Sequence, residues 1–168
     1  DNLELRPNGY AITLSGVRVA AGEISPLQAL AMNPGDATVP LRGVETTEPA
    51  FGLPAIWIPE SQRTEAEVSG YRVVDAPTVL ITHLGEVIRR HADEVITRQD
   101  VQSLLDHIRR DSPAVVEELV PKLLSISEVH RVLQGLLRER VSIRDLARIL
   151  TALSDYAPAT RDPEQLIE

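Results

Sequence analysis

Glu48-Pro49-Ala50-Phe51 sets a carboxylate and an aromatic ring in one short stretch, stiffened by Pro49 and Pro54. Phe51 and Trp57 are the only phenylalanine and the only tryptophan, and with three tyrosines they complete the aromatic set. Two of the largest apolar side chains therefore fall close together, where a domain normally spreads them through its core. Trp57 sits in Ala55-Ile56-Trp57-Ile58, which reads as a buried strand. Phe51 lies between an acidic, proline-bearing entry and Gly52. An aromatic in such a rigid loop is either a core residue or an exposed anchor for a partner, and residue chemistry alone leaves both open.

Other chemistries have less to stand on. His83 and His91 are eight residues apart on one predicted helix, two turns from each other, whereas a helical metal pair uses an i, i+4 spacing. Surface or helix-end roles account for them, and His107 and His130 carry still less information. The absence of cysteine excludes a thiol nucleophile, a disulfide scaffold and a zinc ribbon within this chain. No Gly-x-Ser-x-Gly turn occurs, and none of the nine glycines has a phosphate-loop spacing. The 25 acidic residues are read as solvated or ion-paired rather than as an acid–base pair. No cofactor and no metal is expected, and the reading is non-enzymatic.

The elements that must position Glu48 and Phe51 change character near residue 76. Upstream the pattern is strand-like. Tyr10–Leu14 and Val17–Ala20 alternate around a Ser15-Gly16 turn, as in a hairpin, and Asn33-Pro34-Gly35-Asp36 is turn chemistry. Pro59–Val68 reads as a short polar helix stopped at Gly70, and Tyr71–Val74 as a further strand. The order over Ala55–Val74 suggests a small βαβ unit. Downstream everything is helical. Asp75 can cap a helix reaching about Ala92, with Pro77 in its first turn. Thr97/Asp100, Ser125/Glu128 and Ser142/Asp145 have capping-box spacing, with Ile96/Val101, Leu124/Val129 and Val141/Leu146 as hydrophobic staples. Ser112-Pro113 opens another short helix, which Pro121 closes. Apolar stripes at helical spacing, such as Val129, Val132, Leu133, Leu136 and Leu137, make 96–155 a compact bundle. The fold class is α+β: small mixed α/β subdomains followed by a helical bundle.

Composition limits the partners. An apolar content of 43% supports a core. A net charge of −8 argues against nucleic acid and against an anionic lipid surface. No run approaches the roughly 18 apolar residues of a membrane span, and no signal peptide opens the chain. The final Asp162–Glu168 reads as the start of a further helix, and the sequence is taken as a fragment of a longer protein.

Several segments carry a family resemblance in order along the chain. They are Leu30-Ala31-Met32-Asn33-Pro34-Gly35, Glu48–Ile58, Gly70–Asp75, Thr82-His83-Leu84, Arg98-Gln99-Asp100 and Val141–Leu146. Together they resemble the FlhA/LcrD family, the membrane export-gate proteins of flagellar and virulence type III secretion. The resemblance implies a membrane half outside this chain and a cytoplasmic region of four subdomains. Residues 1–26 would be the end of the first, 27–75 the second, 76–95 a return helix of the first, and 96–168 the helical third.

The resemblance also implies a function. The protein would be a docking platform on the cytoplasmic face of the bacterial inner membrane, handing export substrates to the membrane channel. Its partners would be export chaperone–substrate complexes and components of the export ATPase complex. A nine-membered ring of the full protein is implied too, with membrane contact only through the absent half. Chaperones would dock in a shallow apolar dimple carried by Glu48, Phe51 and Thr82, with Pro34 and Val74 on the same surface. Phe51 would anchor, Glu48 would be a charged rim group and Thr82 would line the dimple. The Ala-Met-Asn-Pro-Gly run favours the flagellar branch over an injectisome homologue, and a soluble enzyme fragment is the rival from another class.

Overall fold

A computed structural model describes residues 6–35, 37 and 39–168. Residues 1–5 of the segment 1–26, and Asp36 of the expected turn, lie outside the described residues. The chain divides into two compact units, Asp1–Arg89 and Arg90–Glu168. It is of mixed α and β class.

In the first unit, β1 (Gly9–Leu14) pairs antiparallel with β2 (Val17–Glu23) across the Ser15-Gly16 turn. The expected hairpin is present, with β2 running on to Glu23. A separate sheet contains β3 (Gln28–Met32), β4 (Val44–Thr47), β5 (Pro54–Pro59) and β6 (Arg72–Asp75), in the order β4-β5-β3-β6. All neighbours in it are antiparallel. A 3₁₀ turn at Glu60–Gln62 and α1 (Arg63–Val68) connect β5 to β6. These two strands run in the same direction, but β3 lies between them. The expected βαβ unit is therefore split. Ala29, Leu30 and Ala31 of β3 are fully buried, and pairing on both sides satisfies backbone groups that water cannot reach.

Alternation along the strands sends successive side chains to opposite faces. Leu30, Ala55 and Trp57 pack with Ala76 and Val79 of α2 (Ala76–Arg90). Ala29, Ala31 and Ile58 pack with Ala66 of α1. The sheet is thus covered on both faces. Gly70, at φ +90°, ends α1. Its N–H donates to Glu67 O at 3.1 Å, and Tyr71 N–H donates to Ala66 O at 3.0 Å. These two bonds are a Schellman closure, and they set the start of β6. At the other end of β6, Asp75 Oδ1 accepts the Thr78 N–H at 2.7 Å and caps α2. Hydrogen bonding from Thr78 holds the Asp75 carboxyl below its ordinary range.

The second unit contains α3 (Ala92–Val95), α4 (Arg98–Asp111), α5 (Pro113–Leu119), α6 (Ile126–Arg138), α7 (Leu146–Tyr156) and α8 (Pro163–Ile167). Its core includes Val101, Leu105, Leu119, Leu133 and Leu150. Residues 91–95, which follow the end of α2 at Arg90, group with this unit. His130 Nε2 donates to Ile96 O and Gln134 Nε2 to Asp93 O, both at 2.9 Å, which ties the segment to α6.

The capping boxes at Thr97/Asp100 and Ser125/Glu128 are both complete. The bonds from Thr97 and Ser125 hold the Asp100 and Glu128 carboxyls below their ordinary pKa range. The expected box at Ser142/Asp145 does not form. Asp145 is itself the cap of α7, taking the Arg148 N–H at 3.3 Å, so the helix starts three residues later than that box requires. Val141 stays exposed, outside the core that takes in Leu146.

Candidate docking groove

Met32 pairs with Ala55 on one side and with Arg72 on the other. The loop after β3, the loop before β5 and the start of β6 therefore meet at one end of the sheet. The opening turns of α2 cross the same face through Val79. Between them lies an open, mainly apolar groove of about 320 Å³. Pro34, Glu48, Phe51, Val74 and Thr82 all line it. All five sequence candidates thus come together within the first unit, although the outermost two lie 48 positions apart in the chain.

Glu48 and Phe51 have different roles. Glu48 is 4% exposed and Phe51 is 59% exposed. Glu48 Oε1 accepts the Ala50 N–H at 2.9 Å and Oε2 accepts the Phe51 N–H at 2.8 Å. Its backbone N–H donates to Leu53 O at 2.8 Å, and its carbonyl accepts the Gly52 N–H at 2.9 Å. Four bonds centred on one residue close the loop 48–53. Gly52 adopts φ +72° to complete it, a conformation costly for residues with a Cβ. Glu48 is therefore not the charged rim group the family resemblance implies. Burying a carboxylate is costly unless hydrogen bonds satisfy it, and here its own loop does so. The outcome is an apolar ring held out toward solvent by a buried charge. Trp57, 4% exposed, belongs to the core as expected.

The opposite wall is built similarly. Asn33 Oδ1 accepts the N–H groups of Gly35 and Ala37, at 2.8 and 3.2 Å. This side-chain turn fixes Pro34 at the end of β3. Thr82 and Thr78 are exposed on α2, a helical turn apart, above buried Val79.

His83, next to Thr82, points away from solvent and is 5% exposed, contrary to the surface role read from sequence. Its Nδ1 lies 2.6 Å from the Tyr10 hydroxyl, with the rings edge-to-face at 5.7 Å. Burial and the Glu48 charge hold the Tyr10 hydroxyl above the ordinary phenol range. Gly22 on β2 makes room for this ring, since a Cβ there would stand 2.5 Å from the Tyr10 oxygen. The pair latches the β1–β2 hairpin to α2 behind the groove. His91 instead pairs with Glu94 at 3.2 Å. Among the described residues, no cluster of three or more His, Asp or Glu could hold a metal. Glu86, the other buried carboxylate among the described residues, is engaged by Arg89.

Sequence reasoning missed Met32, Leu53, Arg72 and Thr78 as groove residues. The alternation of Arg72 with Val74 was the available signal, since both must face the side that carries Trp57.

The FHIPEP family model matches residues 1–168. The chain belongs to the FHIPEP family. Relatives include the flagellar biosynthesis protein FlhA of Proteus mirabilis, 46% identical over 99% of this chain and 24% of that protein. FlhA of Bacillus subtilis is 44% identical over 100% of this chain and 25% of its own length. The chain spans about a quarter of these curated relatives. Among solved structures of similar fold, Chlamydia pneumoniae CdsV superposes with a TM-score of 0.80 at 28% identity, over 99% of this chain and 48% of CdsV. CdsV in complex with CdsO gives a TM-score of 0.83 at 26% identity, covering 99% and 51%. These matches fit the FlhA/LcrD resemblance and the α+β class.

Proposed function

We propose that this segment is the docking platform of a type III protein export gate, and that its groove receives export chaperones carrying their substrates. The observation that carries the proposal is Phe51, an exposed aromatic at the lip of an apolar groove, held there by the buried Glu48 carboxylate. Solvating a large apolar side chain is unfavourable, and spending a buried charge to present one is a feature of a binding surface rather than of a core. A small groove with one aromatic anchor suits transient docking, in which a few residues carry most of the affinity and release stays fast.

On this reading 27–75 is the second subdomain and 76–95 returns to the first. Residues 96–168 are the third, contributing Arg-bearing and acidic helix faces to ring contacts. Among the described residues no helix is long and apolar enough to cross a membrane. The flagellar system is favoured over an injectisome because relatives named as flagellar biosynthesis proteins reach 46% identity. The complex of CdsV with CdsO supports a partner-binding role for this fold.

Hydrogen exchange tests the docking face. Adding a purified export chaperone–substrate complex is expected to slow exchange of amides in 48–53 and at the start of α2. Protection confined to the second unit, with these amides unchanged, would place docking elsewhere.

A further inference from the structure

We propose that Arg72 makes the groove selective for an acidic amphipathic segment of its protein partner, with an apolar side chain against Phe51 and Val79 and a carboxylate on the guanidinium. This rests on the docking role just proposed and adds the chemistry of what docks. The groove is lined by two ionisable residues, Glu48 and Arg72. The Glu48 carboxylate is buried and turned into its own loop. Arg72 is exposed at the first position of β6 and forms no ion pair among the described residues. The accessible charge in the groove is therefore positive, on a chain whose net charge is −8.

The placement is specific. The alternation of β6 puts Arg72 on the same face as Val74, and Met32 holds it in register. The guanidinium thus stands at the end of an apolar strip rather than on an open charged surface. Screening confines the reach of exposed charges to about 10 Å at ordinary salt, so a charge that itself lines the groove, as Arg72 does, weighs most on a docked segment. Arginine also offers a planar fork that binds a carboxylate in two-pronged fashion, with less hydration to remove than lysine. Arg63 is committed to Glu60 and Glu67 and Arg89 to Glu86, and of the arginines of the first unit Arg72 lines the groove.

The test compares Arg72→Gln, Arg72→Glu and Phe51→Ala in titrations with a purified export chaperone–substrate complex. Arg72→Gln is expected to weaken binding roughly tenfold and Arg72→Glu further, as loss or reversal of a charge facing an opposite charge does. The affinity of the Gln variant should also lose much of its dependence on salt. As a second probe, an amphipathic helical peptide with glutamates flanking its apolar stripe should bind better than the same peptide with lysines. Should Phe51→Ala lose binding while both Arg72 variants bind as the native protein does, the charge selectivity is wrong and docking stands. Should all three variants bind normally, the docking role fails with it.

Discussion

Replacing Glu48 with alanine is expected to cost on the order of 2 kcal/mol in stability of the first unit and to weaken partner binding as well, although little of its side chain is accessible to a partner. Hydrogen bonds to a charged group contribute about 1.5–3 kcal/mol, and their loss leaves the opposing donors short of partners. The Ala50 and Phe51 N–H groups would lose their acceptors at 2.9 and 2.8 Å. Without them the loop 48–53 samples other conformations, and Phe51 no longer starts from the binding-competent one. Affinity then falls by the fraction of time the loop is correctly arranged. Glu48→Gln keeps one acceptor oxygen and should fall between the two. Thermal melting with titration of a chaperone–substrate complex reads both effects. Wild-type stability together with wild-type affinity in Glu48→Ala would show that the loop is held by something other than this carboxylate.

Trp57→Ala is expected to have the largest effect on folding, about 3–5 kcal/mol, the usual range for truncating a buried aromatic. Domains have total stabilities of about 5–15 kcal/mol, so much of the first unit's margin would go. Trp57 packs with Leu30, Ala55, Ala76 and Val79, and the last of these is also groove floor. The groove should therefore be lost along with the sheet. The second unit has its own core, and helical circular dichroism should survive at temperatures where resonances of the first unit collapse. Trp57→Phe, which refills most of the volume, should recover most of the stability. Unchanged melting of the first unit in Trp57→Ala would contradict the packing described.

What could be read in the sequence follows from how far apart the interacting residues lie. The Thr97/Asp100 and Ser125/Glu128 caps, the stop at Gly70 and the β1–β2 hairpin depend on residues a few positions apart, and all are present. Strands β3 and β4 were invisible locally. Ala29-Leu30-Ala31-Met32 consists of good helix formers, and it is a strand because β5 and β6 pair on either side of it. The same insertion splits the expected βαβ unit. Ser142/Asp145 misled because an aspartate can close a capping box or be the cap, and spacing does not distinguish them. The groove was legible as a set of residues through family resemblance. The division of labour within it was not. A glutamate near the surface reads as a rim charge until the donors of Ala50 and Phe51 are seen to close on it, and Arg72 becomes the exposed charge of the groove only once Glu48 has turned inward.

The most direct test of the docking account is a calorimetric titration of an export chaperone–substrate complex into the native protein and into Phe51→Ala. Because Phe51 is more than half exposed, its truncation should leave the melting temperature nearly unchanged. Loss of an anchor residue costs about 2 kcal/mol or more, corresponding to a dissociation constant weaker by at least roughly thirtyfold. An unaltered dissociation constant in a correctly folded Phe51→Ala protein would contradict the account.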